Sequence, residues 1–332
     1  MQPRISHPNG LTSSLSAELS PSPFDTQTDE LLHHYTTTAY ISLAGNRTPS
    51  VYRVAIPQMS LAYPFLFSGI LAISALHLAT IAPHRSQELH NFAVAQEYVA
   101  LPLFRASVSN PEAENIHAIF AFAGSVVHYI MASPEVLHGE QKVDRCRIPS
   151  RDDDHPHWFQ TIRGLMTLLS SHWHELARGP FAPLLAYDPR PVYDNSNDKQ
   201  LAKLEQLFPT PSMLPSHPNS STPSEEESFE NCRGALKELR RVSALSRSSP
   251  TLCIKTSIHT WAGGVSPGFV ELIYDRDPRA LVLLAHYCVL LKNNNDVWYL
   301  RGLGLGLLEH IRQILGEEWQ PWIQWALEQP VS

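Results

Sequence analysis

Between Pro64 and Pro83 the chain runs for 18 residues, Phe65 to Ala82, "FLFSGILAISALHLATIA", without a formal charge. A helix of that length with apolar side chains on every face must be surrounded, either by lipid or by the rest of a protein. Ser68, Ser74, His77 and Thr80 interrupt the run, and no Lys or Arg collar flanks it on both sides. The expectation is therefore a buried central helix and no membrane span. A second stretch, "RALVLLAHYCVLLK" (279 to 292), follows the cap Asp277-Pro278 and is again hydrophobic all round. Two such helices need many one-sided helices to cover them.

The sequence supplies these covering helices, marked by capping residues and prolines. Asn110-Pro111-Glu112 reads as an N-cap with proline at the first helical position, followed by Ile116, Ile119, Phe120, Ala123, Val127 and Ile130 at helical spacing. Ser86 is placed to cap a helix with the stripe Leu89, Phe92, Val99 and Leu103, which Pro102 should kink or end. Asp152 to Asp154 precede Trp158, Ile162, Leu165, Met166 and Leu169, with the acids at the positive end of the helix dipole. Ser224-Glu225-Glu226-Glu227 forms a capping box ahead of Phe229, Cys232, Leu236, Leu239 and Val242. No strand pattern with two-residue turns is evident, so the fold class is all-α, a multi-helix assembly. Residues 1–28, rich in Ser, Pro, Thr and Gln, read as a disordered arm, and 29–330 as the helical domain. Seven prolines between 188 and 223 mark a Pro/Ser-rich linker within it.

Composition narrows the function. Hydrophobic residues make up 43% and charged residues 17%, with a net charge of -7, so the cationic excess of a nucleic-acid-binding domain is missing and direct nucleic-acid binding is not expected. The basic residues Arg233, Lys237, Arg240 and Arg241 alternate with Glu230 and Glu238, as on a solvated helix face. Cysteines at 146, 232, 253 and 288 form no C-x-x-C pair, and the N-terminal stretch has no apolar core of a secretory signal. Reduced thiols in an intracellular compartment, the nucleus or cytoplasm, are the expectation, and the sequons at Asn46 and Asn219 are fortuitous.

Three motifs suggest chemistry. Gly264-Val265-Ser266-Pro267-Gly268 matches the G-x-S-x-G pattern of serine hydrolases. The residue after the nucleophile must supply an oxyanion-hole N–H, and Pro267 has none. Ser266 as N-cap with Pro267 opening a helix is the better reading. Asp152-Asp153-Asp154-His155-Pro156-His157 and His172-Trp173-His174-Glu175 lack the i, i+4 histidine pair of a zinc helix. Gly302, Gly304 and Gly306 follow helical sequence rather than a strand, which suits close helix packing better than a dinucleotide loop. No catalytic residue, metal site or cofactor is assigned.

The remaining candidates are polar groups inside apolar helices. His77, His128 and His286, with Tyr287 and Phe65, are the makings of a pocket for a largely apolar ligand with one or two polar ends. A satisfied core histidine is the plainer alternative.

Several segments together resemble the C-terminal regulatory domain of fungal binuclear-zinc-cluster transcription factors, in particular the sterol-uptake control group. They are "LLHHYTTTAYISLA" (31 to 44), "VAIPQMSLAYPFLFSGILAISALHLA" (54 to 79), "HWFQTIRGLMTLL" (157 to 169), "VSPGFVELI", "DPRALVLLAHYCVLL" and "WYLRGLG" (between 265 and 304), and the terminal "WQPWIQWALE". No one of them is specific; the ordered set is. The resemblance implies an α-helical, commonly dimeric domain with a hydrophobic pocket that receives a sterol and gates nuclear activity. The six-cysteine zinc cluster of that family is not found in this sequence, so the expected partner set is an apolar small molecule, a second copy, or a DNA-binding co-regulator. An enzyme or carrier of secondary metabolism on the same fold is the alternative, because fold does not fix function.

Overall fold

The computed structural model describes residues 23–44, 48–133, 135–138, 141–151, 157–185, 198–208, 223–248 and 253–331. The N-terminal half begins with α1 (Pro23–His34), α2 (Tyr40–Ala44), α3 (Ile56–Ser60), α4 (Pro64–Ile81), α5 (Ser86–Val108) and α6 (Ile116–Ala132). Strands β1 (Glu135–His138) and β2 (Gln141–Asp144) follow, then α7 (Trp158–Ser171), α8 (Trp173–Arg178), α9 (Ala182–Leu185) and α10 (Asp198–Lys203). The C-terminal half holds α11 (Pro223–Ser248), α12 (Cys253–Gly264), α13 (Pro267–Tyr274), α14 (Pro278–Lys292), α15 (Leu303–Ile314) and α16 (Gln320–Glu328). All-α describes the fold.

The two all-apolar stretches are the two centres. Helix α4 is packed by α1, α3, α5 and α6, and α14 by α11, α12, α13, α15 and α16. Helix α7 joins the halves by packing on both α6 and α12. Among the described residues α4 alone is long and apolar enough to cross a membrane, yet 72% of its apolar window is buried within the protein. In α14 every residue from Ala280 to Lys292 is buried, and Lys292 reaches the end of α16, its ammonium donating to the Ala326 carbonyl at 3.1 Å.

Local rules account for most boundaries. Asp277 caps α14 by accepting from the Arg279 and Ala280 amides, with Pro278 at the first helical position. On α11 the predicted apolar residues Phe229, Cys232, Leu236, Leu239 and Val242 are all buried. Three of its arginines pair with carboxylates: Arg233 with Glu226 and Glu230, Arg240 with Glu205, Arg241 with Glu238. That is the solvated face expected.

Some expectations are corrected. Helix α6 starts at Ile116, not Pro111, because the Asn115 carboxamide accepts the Glu112 amide at 2.8 Å and holds 110–115 in turns. Helix α5 runs through Pro102 to Val108 and is preceded by a 3-10 turn at Pro83–Arg85. Its buried face is Leu89, Phe92, Ala93, Glu97 and Ala100, while Val99 and Leu103 are exposed. The strands form an antiparallel pair, Glu135 opposite Asp144; Gly139-Glu140 between the two runs was the available turn signal. Helix α1 begins at Pro23, six residues before the expected boundary. Residues 1–22, most of the proline-rich stretch (186–197 and 209–222), Asn46 and the Asp152–Pro156 motif lie outside the described residues, although α10 falls within the stretch read as linker.

Gly302 and Gly304 serve packing. Gly302 takes φ 78 at the start of α15, a left-handed conformation that favours glycine. A Cβ on Gly304 would stand 2.7 Å from both Leu291 Cβ and the Lys292 amide nitrogen and 2.8 Å from the Cys288 carbonyl oxygen, so α15 touches the α14 backbone. Gly304→Ala should therefore cost about 1–3 kcal/mol by overpacking, whereas Gly164→Ala, at an exposed helical position with nothing within 4 Å of the added carbon, should gain roughly 1 kcal/mol from helix propensity. Urea unfolding of the two variants measures the contrast.

Candidate functional site

Ser266 is a helix cap. Its hydroxyl accepts the Phe269 amide at 3.1 Å and donates to the Asn231 side-chain carbonyl at 2.6 Å, while Pro267 opens α13. Both roles of the oxygen are structural, and no amide hydrogen follows it to stabilise an oxyanion. Nor do the described thiols offer a nucleophile. Burial pushes Cys232 up to about 12 and raises Cys146 and Cys288 as well, so none is a thiolate at neutral pH. Among the described residues no three His, Cys, Asp or Glu side chains gather to hold a metal ion.

The five pocket candidates fall in four places. Phe65 joins Phe104 and Phe122 in a ring cluster, edge-on to Phe122 at 5.5 Å. His77 Nδ1 lies 2.9 Å from His34 Nε2, and its ring meets the Trp298 indole edge-on at 5.3 Å. The His128 ring packs edge-on against Tyr299 at 4.7 Å and lies 6.0 Å from His259, its Nδ1 directed to the Gly124 carbonyl at 2.7 Å. On α14, His286 and Tyr287 diverge. His286 stacks on Trp325 at 5.5 Å with Nε2 buried and unpartnered, and the Tyr287 hydroxyl donates to the Ile258 carbonyl while its ring stacks on Trp261 at 4.3 Å.

Two of the candidates therefore share one region. Trp298 and Tyr299 stand edge-on to each other at 5.5 Å, so His77, Trp298, Tyr299 and His128 form a continuous line of rings between the turn before α15 and helices α4 and α6. Arg145 holds that turn in place by donating to the Met131 and Arg301 carbonyls, and the Trp298 indole donates to the Ser42 hydroxyl at 2.9 Å. An open cleft of about 430 Å³ lies elsewhere, lined by residues of and next to α1, α3 and α4, with Leu32, Thr36, Pro57, Leu61 and Phe67 in its wall together with Asp29 and His33. None of the five candidates lines this cleft.

Two features were missed in the sequence. Glu97 is buried on α5 with Oε1 unpartnered, and burial pushes its carboxyl up to about 8, so it is held mostly neutral at pH 7. Its signal was one acid four residues after Ala93 and three before Ala100 on the buried stripe. Tyr299 lies inside "WYLRGLG" and is 1% exposed, with its hydroxyl unpartnered.

No family model matches the chain. It is 24% identical over 314 residues to a Zn(2)-C6 fungal-type transcription factor of Gibberella zeae, covering 90% of this chain and 60% of that protein. A Zn(2)-C6 fungal-type transcription factor of Aspergillus fumigatus is 22% identical over 82% of the chain and 71% of its own length. Sterol uptake control protein 2 of Saccharomyces cerevisiae is 27% identical over 161 residues, 48% of the chain and 17% of its own length. The likeness is distant and partial. The chain thus spans less than two thirds of the length of the first of these relatives and under one fifth of the last.

The buried histidines make stability sensitive to acid. Burial pushes His286 down to about 4 and, with neighbouring His34, His77 likewise to about 4, from an ordinary 6.5. The unfolded chain then takes up protons that the folded one refuses. Glu97 acts in the opposite sense, its contribution fully present below about pH 4.5 and lost as pH rises towards 8, whereas the contribution of these two histidines is complete above about pH 6.5 and lost as pH falls towards 4. Urea titrations across that window should show the fall, and His286→Phe should make its slope shallower.

Proposed function

We propose that this chain is a transcription-regulator-type effector domain that binds an apolar small molecule, a sterol, terpenoid or polyketide, in the nucleus or cytoplasm. The observation that carries the reading is the similarity to proteins named for control of sterol uptake. An all-α interior supports it, because polar side chains sparsely set among apolar walls suit a lipid with few polar groups. Recognition of duplex DNA is left to a partner or a segment outside these residues. A second copy or a DNA-binding co-regulator fits the surface of α5, where Tyr98 is 82% exposed beside exposed Val99 and Leu103. Apolar side chains grouped in this way favour a protein partner.

The test is a thermal-shift screen of sterols, terpenoids and polyketides, with mass spectrometry of the recovered compound. A ligand at about 100 times its dissociation constant should add roughly 2.7 kcal/mol and raise Tm by several degrees. Ser266→Ala should lose about 1 kcal/mol of stability with its cap and keep any such shift. Stabilisation by no member of the panel refutes the reading, and recovery of a chemically altered compound replaces it with an enzyme on the same fold.

A further inference from the structure

Asp29, Leu32, His33 and Thr36 follow one another at helical spacing along α1 and the π-helical turn that continues it (Tyr35–Ala39), so they share one face. That face borders the open cleft of about 430 Å³, whose remaining wall is Pro57, Gln58, Ser60 and Leu61 of α3 and the turn after it, with Phe67 from α4. Helices α1 and α3 both pack on α4, and all three contribute to the cleft. Its volume falls within the range of small-molecule sites, about 300–1,000 Å³.

The walls are largely apolar. Leu32, Pro57 and Phe67 are half-buried and Leu61 is 83% exposed, and apolar side chains grouped around a concavity but left to water suit a site that takes up another apolar body. The hydroxyls in the cleft offer no hydrogen. Thr36 donates to the Leu32 and His33 carbonyls at 2.9 and 3.1 Å, and Ser60 to the Pro57 carbonyl at 2.7 Å, so each oxygen is left to accept. Charge at the rim is negative. Asp29 is exposed there, and Glu30, next to it in sequence, shares the Arg85 guanidinium with Glu88. No Lys or Arg lines the cleft, and the exposed side chains of His33 and Gln58 complete its polar set, each able to donate or accept.

A carboxylate or sulfate entering this cleft would meet a like charge and no fixed cation, whereas a hydroxyl would find acceptors for its hydrogen. We propose that the cleft takes up the apolar body of a small molecule and selects for a polar end that donates a hydrogen bond, a hydroxyl in preference to an acid. Leu32, Pro57, Leu61 and Phe67 cover the body, and Asp29 accepts from the polar end. This site rests on the small-molecule reading above and gives it a location and a polarity, away from Phe65, His77, His128, His286 and Tyr287, none of which lines the cleft.

The experiment measures binding of cholesterol and of cholesteryl sulfate to the full chain and to its variants Gln58→Trp and Asp29→Lys. Both positions are exposed, so the unliganded melting temperature should not move. The wild type should bind cholesterol about tenfold more tightly than the sulfate. Gln58→Trp, whose indole fills the cleft, should weaken cholesterol by about tenfold or more, and Asp29→Lys should abolish the discrimination against the sulfate. Leu61→Ala, which removes an exposed part of the apolar wall, should weaken both sterols and serves as the test of the site if Gln58→Trp does not fold. Unchanged cholesterol binding by the folded wall variant overturns the site and leaves the small-molecule reading standing. Equal affinity of the wild type for the two sterols overturns the selection for a donor, as does discrimination that survives Asp29→Lys. Failure of the wild type to bind either compound overturns the sterol reading and the site together.

Discussion

Two helices without a polar face govern this molecule. Helices α4 and α14 cannot stay in water, because fully burying a Leu, Ile or Phe is worth about 1.5–3 kcal/mol and each helix carries such side chains on all sides. Most other helices cover one of them, α1, α3, α5 and α6 around the first and α11 to α13, α15 and α16 around the second, while α7 bridges α6 and α12. Their interaxial approach depends on small residues. Gly304 lets α15 reach the α14 backbone, and Gly69 on α4 faces the Phe122 ring, where an added Cβ would stand 2.7 Å from the ring carbon Cδ2.

Polar groups inside such a core need partners, and the exceptions are informative. His128 and His286 each direct Nδ1 to the carbonyl four residues earlier, which satisfies one nitrogen within the helix itself. Lys292 and Arg145 spend their charges on backbone carbonyls at helix ends and turns, where the negative ends of peptide dipoles accumulate. Glu97 and Tyr299 lack such a solution. Their positions on α5 and on the turn before α15 leave uncompensated polar atoms inside the protein.

The halves differ in how they are held together. The C-terminal half closes through stacked indole and phenol rings, Trp158, Trp261 and Tyr287, with the Trp261 indole donating to the Ala235 carbonyl at 3.0 Å. The N-terminal half is joined to it through α7, packed on both α6 and α12, and at the turn before α15 through ring contacts of Trp298 and Tyr299 and the polar contacts of Arg145 with the Arg301 carbonyl and of Trp298 with Ser42. Change at that turn would alter the surroundings of Tyr299 while leaving the α14 core intact, since no ring of the Trp158–Trp261–Tyr287 stack belongs to it.

The sequence by itself determined the helical class, the two central helices, the caps at Ser266 and Asp277, and the solvated face of α11. All of these depend on neighbours within about one or two helical turns, where spacing and capping chemistry act directly. It also excluded the serine-hydrolase reading, because a missing proline N–H is a covalent fact. Tertiary structure alone decided which face of α5 is buried, where α6 begins, and that His286 and Tyr287, adjacent in sequence, look into different surroundings. Adjacent residues on a helix point about 100° apart, so a core helix sends them to different neighbours. The line of rings His77, Trp298, Tyr299 and His128 was equally invisible, for it brings α4 and α6 against a turn far along the chain, and no local pattern specifies a meeting over that distance.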